Sequence, residues 1–133
     1  MSIEEQMAMM TGSSADMALA PVGETMQIEP GQKQWYAFRD EGDGNNIQIR
    51  ANAQPDSGLA FRVLTPEELR LWQEGMDFEP VGRGTENSDL NADLFWSGSF
   101  VKGATYYIIV EPSGLSNGPI TYSLTVTGDD VSF

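Results

Sequence analysis

Carboxylates are the abundant reactive groups of this 133-residue chain. Twenty Asp and Glu stand against 7 Lys and Arg, for a net charge of −13, and there is no His and no Cys. Without Cys there are no disulfides, thiolate nucleophiles or cysteine zinc sites. Without His the commonest general base and every Ser-His-Asp arrangement are gone. Oxygen chemistry remains, and two loops collect it. Asn87-x-Asp89-x-Asn91-x-Asp93 presents four oxygen side chains at alternate positions, as calcium loops do. Its sixth place is Ala92 rather than Gly and its twelfth is Gly98 rather than Glu, so it is not an EF-hand. Asp40, Glu41 and Asp43 with Asn45 form a second cluster without a recognised spacing. Calcium is the one metal these residues suit, but polar loops account for both clusters without an ion, and no cofactor is assigned. A carboxylate pair for glycoside hydrolysis is a remote alternative, because the acids gather in loops and helix caps where solvation explains them.

Aromatic side chains offer the second kind of chemistry. Trp35, Trp72 and Trp96, with Tyr106, Tyr107 and Tyr122, are more rings than one inner face requires. An exposed indole stacks well on the C–H face of a sugar, so these three Trp are the candidate ligand-binding residues. Trp35 is the ring expected to point outward if Tyr36 and Phe38 point inward.

The elements that must position these groups follow a period of two. Ile47, Ile49, Ala51 and Ala53 alternate, as do Leu59, Phe61 and Val63, and later Ile120, Tyr122, Leu124 and Val126. This is the pattern of half-buried antiparallel strands. Tyr106 to Val110 is apolar or aromatic on both faces, which predicts a central strand covered on both sides. Leu94, Trp96 and Phe100 share one face and Phe95 the other. One helix interrupts the strands: Thr65-Pro66-Glu67-Glu68 is a capping box with Pro at the first helical position, and Gly75 is its stop. Leu69, Trp72 and Met76 are expected on one face of it, packed over an edge or end of the strands. The prediction is an all-β, jelly-roll-like antiparallel β-sandwich of about eight strands with one short helix.

Residues 1–24 differ in character. They hold five of the seven Met, four acids, no base and no aromatic, and are expected to be a flexible leader or linker before a sandwich of residues 25–133. The 40% hydrophobic content suffices for one packed core at this length. The acidic balance disfavours phosphate backbones and anionic membrane surfaces, so nucleic acid is excluded as a partner. No window reaches the roughly 18 apolar residues of a membrane helix, and no membrane insertion is expected.

Gln34-Trp35-Tyr36-Ala37-Phe38 after Pro30-Gly31 resembles the opening of bacterial pre-peptidase C-terminal-like domains. Phe61-Arg62-Val63-Leu64-Thr65-Pro66-Glu67, Val81-Gly82-Arg83-Gly84 and Trp96-Ser97-Gly98-Ser99-Phe100 are similar to segments of a subset of them, as are residues 103–110 and 122–128. The likeness runs from about residue 25 to 128 and rests on order and spacing. It implies a secreted, accessory sandwich: a non-catalytic extracellular interaction or assembly module whose partner is a protein or polysaccharide at the cell surface. A carbohydrate-binding module using exposed aromatics is the alternative. The N-terminus shows no signal-peptide pattern, its first base being Lys33, so an extracellular location expects a leader outside this chain. Oligomeric state is left open.

Along a strand, Asn87, Asp89, Asn91 and Asp93 would lie in a row rather than converge, and calcium needs six to eight converging oxygens. Millimolar calcium is therefore expected to raise the melting temperature slightly, and magnesium to match it. Thermal melts with calcium, magnesium and chelator check this. A large calcium-only rise abolished by Asp89→Ala would reverse the reading.

Overall fold

Alternating side chains become two packed sheets. The computed structural model describes residues 15–54, 59–87, 92–112 and 119–133. The strands are β1 (Val22–Ile28), β2 (Gln34–Asp40), β3 (Ile47–Gln54), β4 (Leu59–Leu64), β5 (Gly82–Arg83), β6 (Thr85–Asn87), β7 (Ala92–Gly98), β8 (Ala104–Pro112), β9 (Ile120–Gly128) and β10 (Val131–Ser132). One helix, α1 (Pro66–Gln73), joins β4 to β5. The sheets have the orders β1-β9-β3-β7-β6 and β10-β2-β8-β4-β5, and all strand pairs are antiparallel.

The pairs β1·β9, β2·β8, β3·β7 and β4·β5 are rungs of one antiparallel ribbon. Successive rungs fall in alternate sheets, so the ribbon is wound around the core. That winding is the jelly roll. The very short β6 and β10 extend one edge of each sheet, which brings the strands above the eight expected.

Inward positions match the alternation in the sequence. Ile47, Ile49, Ala51 and Ala53 from β3 meet Leu59, Phe61 and Val63 from β4, with Ile108 and Val110 from β8 and Ile120, Leu124 and Val126 from β9. As expected for β8, its other face is covered too: Ile109 is buried with Leu64 and Trp35 in a second cluster on the outer face of the β2-β8-β4 sheet. Burying each such side chain stabilises the fold by about 1.5–3 kcal/mol.

The N-terminal side of the fold takes in more chain than a boundary at residue 25 allows. β1 already begins at Val22. Leu19 donates its N–H to the Trp35 carbonyl at 2.9 Å and accepts from the Ala37 N–H at 3.0 Å. Ala15 and Ala18 pack on the second cluster. The physical reason is that the open edge of β2 and the apolar surface beside Trp35 give these residues partners that a linear reading does not reveal.

Between the sheets, Tyr36 of β2 and Tyr122 of β9 join hydroxyl to hydroxyl at 2.9 Å, their rings edge to face at 6.5 Å. Both residues are buried. Burial pushes both phenols above their ordinary value of 10.0, and the Tyr122 side chain is pushed furthest, with the Tyr36 hydroxyl contributing. Above about pH 10 the unfolded chain releases these protons while the folded chain keeps them, so stability falls as pH rises; below it the contribution is fully present. The expected outcome is an alkaline loss of stability that starts near pH 10 and is shallower in a Tyr36→Phe/Tyr122→Phe double variant. Tyr36→Phe alone should cost about 1–2 kcal/mol by leaving the Tyr122 hydroxyl unpaired, and the double variant should recover most of it. Urea denaturation across the pH range measures both.

Candidate functional site

The capping box forms as the sequence predicts and then does a second job. Thr65 Oγ1 accepts the Glu68 N–H at 3.2 Å, and Glu68 Oε1 accepts the Thr65 N–H at 2.9 Å. The same Glu68 oxygen also accepts the Val81 N–H at 3.2 Å. One carboxylate thus ties the start of α1 to the chain entering β5. The helix ends at Glu74, and Gly75, at φ 72°, turns the chain back in a conformation that disfavours a side chain. Residues 75–80 then run back along the helix to β5.

This path encloses an open groove of about 340 Å³, lined by Arg62, Trp72, Met76, Phe78, Pro80 and Arg83 together with Gly75 and Asp77. Trp72 forms part of its lining. It meets Trp35 edge to face at 5.7 Å and Phe78 at 6.4 Å, and the Arg62 guanidinium lies 4.9 Å from its ring centre. Arg62 Nη2 donates to Glu111 Oε1 at 3.0 Å, and Lys33 Nζ lies 3.8 Å from the other oxygen of Glu111. Arg62 Nε is buried and has no hydrogen-bond partner among the described residues. Arg83 sits opposite Arg62 in the β4–β5 register. Arg70, the helix arginine, is tied to Glu67 and Glu74 on the solvent side.

The three tryptophans expected to bind ligand do not form a common platform. Trp35 does point away from Tyr36 and Phe38, but it is only 4% exposed. The expectation that it lies outside is corrected: α1 and the segment holding Ala15 and Ala18 cover that face. The helix therefore packs on the middle of a sheet face, over Trp35, Leu64 and Ile109, rather than on an edge or end. Met76 falls beyond the helix stop and is 55% exposed, so it is not on the buried face with Leu69 and Trp72. Trp96 belongs to the other sheet. Its ring lies against Gly82 and Gly98, where a Cβ would come within 2.1 and 2.6 Å of it, and stacks on Phe100 at 6.0 Å.

Of the two oxygen clusters, the structure describes that of Asp40, Glu41, Asp43 and Asn45. Asp40 is buried, and its Oδ2 accepts the Gly42 N–H at 2.9 Å, closing the loop that follows β2. Asp43 is exposed. The four-oxygen motif falls on the β6–β7 connection: Asn87 pairs with Ala92 in the ladder, while Asp89, Asn91 and the side chains of Asn87 and Asp93 lie outside the described residues. Among the described residues no three acids gather closely enough to hold a metal ion.

No protein-family model matches the chain, and neither does any curated protein sequence. Solved structures do match in fold. A periplasmic inhibitor of g-type lysozyme from Aeromonas hydrophila aligns with TM-score 0.55 and 16% identity over 80% of this chain and 85% of that one. The pre-peptidase C-terminal domain of a Bacillus anthracis collagenase aligns with TM-score 0.55 and 19% identity over 80% of this chain and 90% of that one. A mitogen from Yersinia pseudotuberculosis aligns with TM-score 0.50 and 11% identity over 84% and 92%. These likenesses support the sandwich fold.

Sequence reading missed the groove. Arg62, Met76, Phe78 and Arg83 come from a strand, a loop and a second strand, and share no spacing. The local signals were Arg62 at an outward position of β4 and the short strand suggested at Pro80–Arg83, which forms at Gly82–Arg83, but nothing in the sequence says that the two are paired.

Because Glu68 serves two donors, it and Thr65 should be separable by stability. Thr65→Ala is expected to cost about 1 kcal/mol, the value of a lost cap. Glu68→Ala should cost more, since the Val81 N–H also loses its acceptor. Urea unfolding of the two variants measures the difference.

Proposed function

We propose that this chain is a non-catalytic interaction module, working outside the cytoplasm, that binds a protein partner through the groove between α1 and β5. The observation that carries the reading is the groove's composition. Trp, Met, Phe and Arg are the residue types concentrated at the centres of protein interfaces, and here they line one shallow depression. Asp77 also lines it, and Glu111 and Glu79 pair with its two arginines.

The fold likeness to a periplasmic lysozyme inhibitor and to an accessory collagenase domain agrees with such a role and with an extracellular or periplasmic location. A sugar-binding role is less well supported, because stacking needs a free flat ring. Trp35 is covered, Trp96 is wedged against two glycines, and the Trp72 ring has the Arg62 guanidinium beside it.

Panning a random peptide display library on the immobilised chain, in parallel with electrophoresis through gels containing xylan, glycol chitin or hydroxyethyl cellulose, tests the choice. Selected peptides are expected to lose binding to a Met76→Asp variant, and migration in the sugar gels is expected to be unchanged. Retardation in a sugar gel with no peptide selected would replace this reading with the carbohydrate one.

A further inference from the structure

The outer edge of β2 is filled by short pieces of chain rather than by a full strand. β10 pairs there with Arg39 and Asp40. Alongside Trp35 to Ala37 lies a single parallel rung, Leu19 with Tyr36. Its hydrogen bonds run from the Leu19 N–H to the Trp35 carbonyl at 2.9 Å and from the Ala37 N–H to the Leu19 carbonyl at 3.0 Å. Parallel pairing is slightly weaker per residue than antiparallel pairing, and this ladder is one rung long.

Side chains around the rung alternate as those of a docked strand do. Leu19 packs on the main core, whereas Ala18, with Ala15, packs on the second cluster beside Trp35. The arrangement changes at Pro21. Its carbonyl accepts the Val126 N–H at 3.1 Å, and β1 pairs with β9 from Val22 onward. Between the two, the Val22 N–H donates to the Ala20 carbonyl at 3.0 Å in a three-residue turn. Release of residues 15–20 therefore stops at Pro21 and leaves the ladders of both sheets in place. It uncovers the Trp35 carbonyl, the Ala37 N–H, the space held by Leu19 and the part of Trp35 beneath the alanines.

We infer that residues 15–20 are a detachable strap that occupies, from within the chain, an acceptor site for an extended peptide segment. The strap itself shows what the site takes. The occupant runs parallel to β2, with an apolar side chain where Leu19 sits and a small one where Ala18 meets the Trp35 cluster. Strand addition of this kind draws affinity from main-chain hydrogen bonds and selectivity from alternate side chains. The strap is thus an autoinhibitory contact, because a tethered segment competes with a free one at a roughly millimolar effective concentration. The site lies on the opposite edge of the sheet from β5 and does not depend on the reading of the groove.

Amide hydrogen exchange of the unmodified full chain tests the detachment. Backbone groups of alternate residues face opposite neighbours, so Tyr36 and Phe38 bond to β8 while Ala37 bonds to the strap. Leu19 and Ala37 should be protected about tenfold less than Tyr36 and Phe38, with little dependence on added denaturant. Equal protection of all four amides would overturn the inference, because the strap would then open only with the whole fold.

The acceptor is tested in the full-length Leu19→Pro variant, which lacks the N–H given to the Trp35 carbonyl. The probe is the blocked peptide Ser-Ala-Asp-Met-Ala-Leu-Ala, the sequence of residues 14–20, followed by NMR shifts of the Ala37 amide and the Trp35 indole. It should bind the variant about tenfold more tightly than the unmodified chain, and the same peptide with Asp for Leu should bind neither. Failure of the Leu peptide to bind the variant, or equal binding of the Asp peptide, would overturn the acceptor site. Loss of cooperative melting in Leu19→Pro would overturn the inference too, since residues 15–20 would then be part of the core rather than a strap.

Discussion

A strand with apolar side chains on both faces cannot sit at the surface of a two-layer sandwich without a third layer above it. β8 is such a strand. Its inward side chains, Tyr106, Ile108 and Val110, meet the opposite sheet, and Ile109 on the other face is as fully buried as they are. The cover is α1, with the segment around Ala15 and Ala18. Trp35 and Leu64 flank Ile109 from β2 and β4 and complete the surface on which the helix rests. Once the helix is placed there, the chain has to return from its far end to the edge of the same sheet. Residues 75–80 make that return, and the groove is the space left beneath them. The groove is thus a consequence of covering β8.

The winding of the ribbon imposes a second constraint, at the edges. Two sheets held face to face leave openings where the outer strands do not meet. One is closed by aromatic rings set against glycines: Trp96 against Gly82 and Gly98, and the Phe61 ring against Gly84. The close approach is possible only because no Cβ intervenes, which gives Val81-Gly82-Arg83-Gly84 and Trp96-Ser97-Gly98 a packing role. The few bases are used in a related way. The Arg62 guanidinium lies 4.9 Å from the ring centre of Trp72 on the helix, and that of Arg50 5.7 Å from the ring centre of Phe95 on β7. In so acidic a chain these are also the places where self-repulsion is relieved.

What was legible in the sequence was whatever depends on near neighbours. The alternations at Ile47 to Ala53, Leu59 to Val63 and Ile120 to Val126 identified both strands and inward faces, because the pleat alone decides which side chains share a side. The capping box at Thr65 and Glu68 is equally local. The two-sided β8 was legible as a strand needing cover, but the identity of the cover was not. That gap explains the misplacement of Trp35: its direction was right, and its exposure depended on a helix thirty residues away. Met76 was misassigned because the helical period was carried past Gly75, whose positive φ breaks it. The N-terminal boundary was missed because Leu19 is held by the backbone of β2, which composition cannot register.

Counting tryptophans points equally to a core and to a sugar platform; what separates the two is whether a ring face is left for a ligand. A ring placed in contact with another side chain has already gained the dispersion and electrostatic attraction that a sugar would offer, and a ligand must displace that contact to bind. Trp72 illustrates the balance. Its contacts with Trp35, Phe78 and Arg62 leave less of the ring for stacking. The groups of the groove with less committed geometry are the thioether of Met76, the exposed part of Phe78 and the guanidinium of Arg83. Trp35 and Trp96 have less still to offer, since one is covered by α1 and the other is set against Gly82 and Gly98.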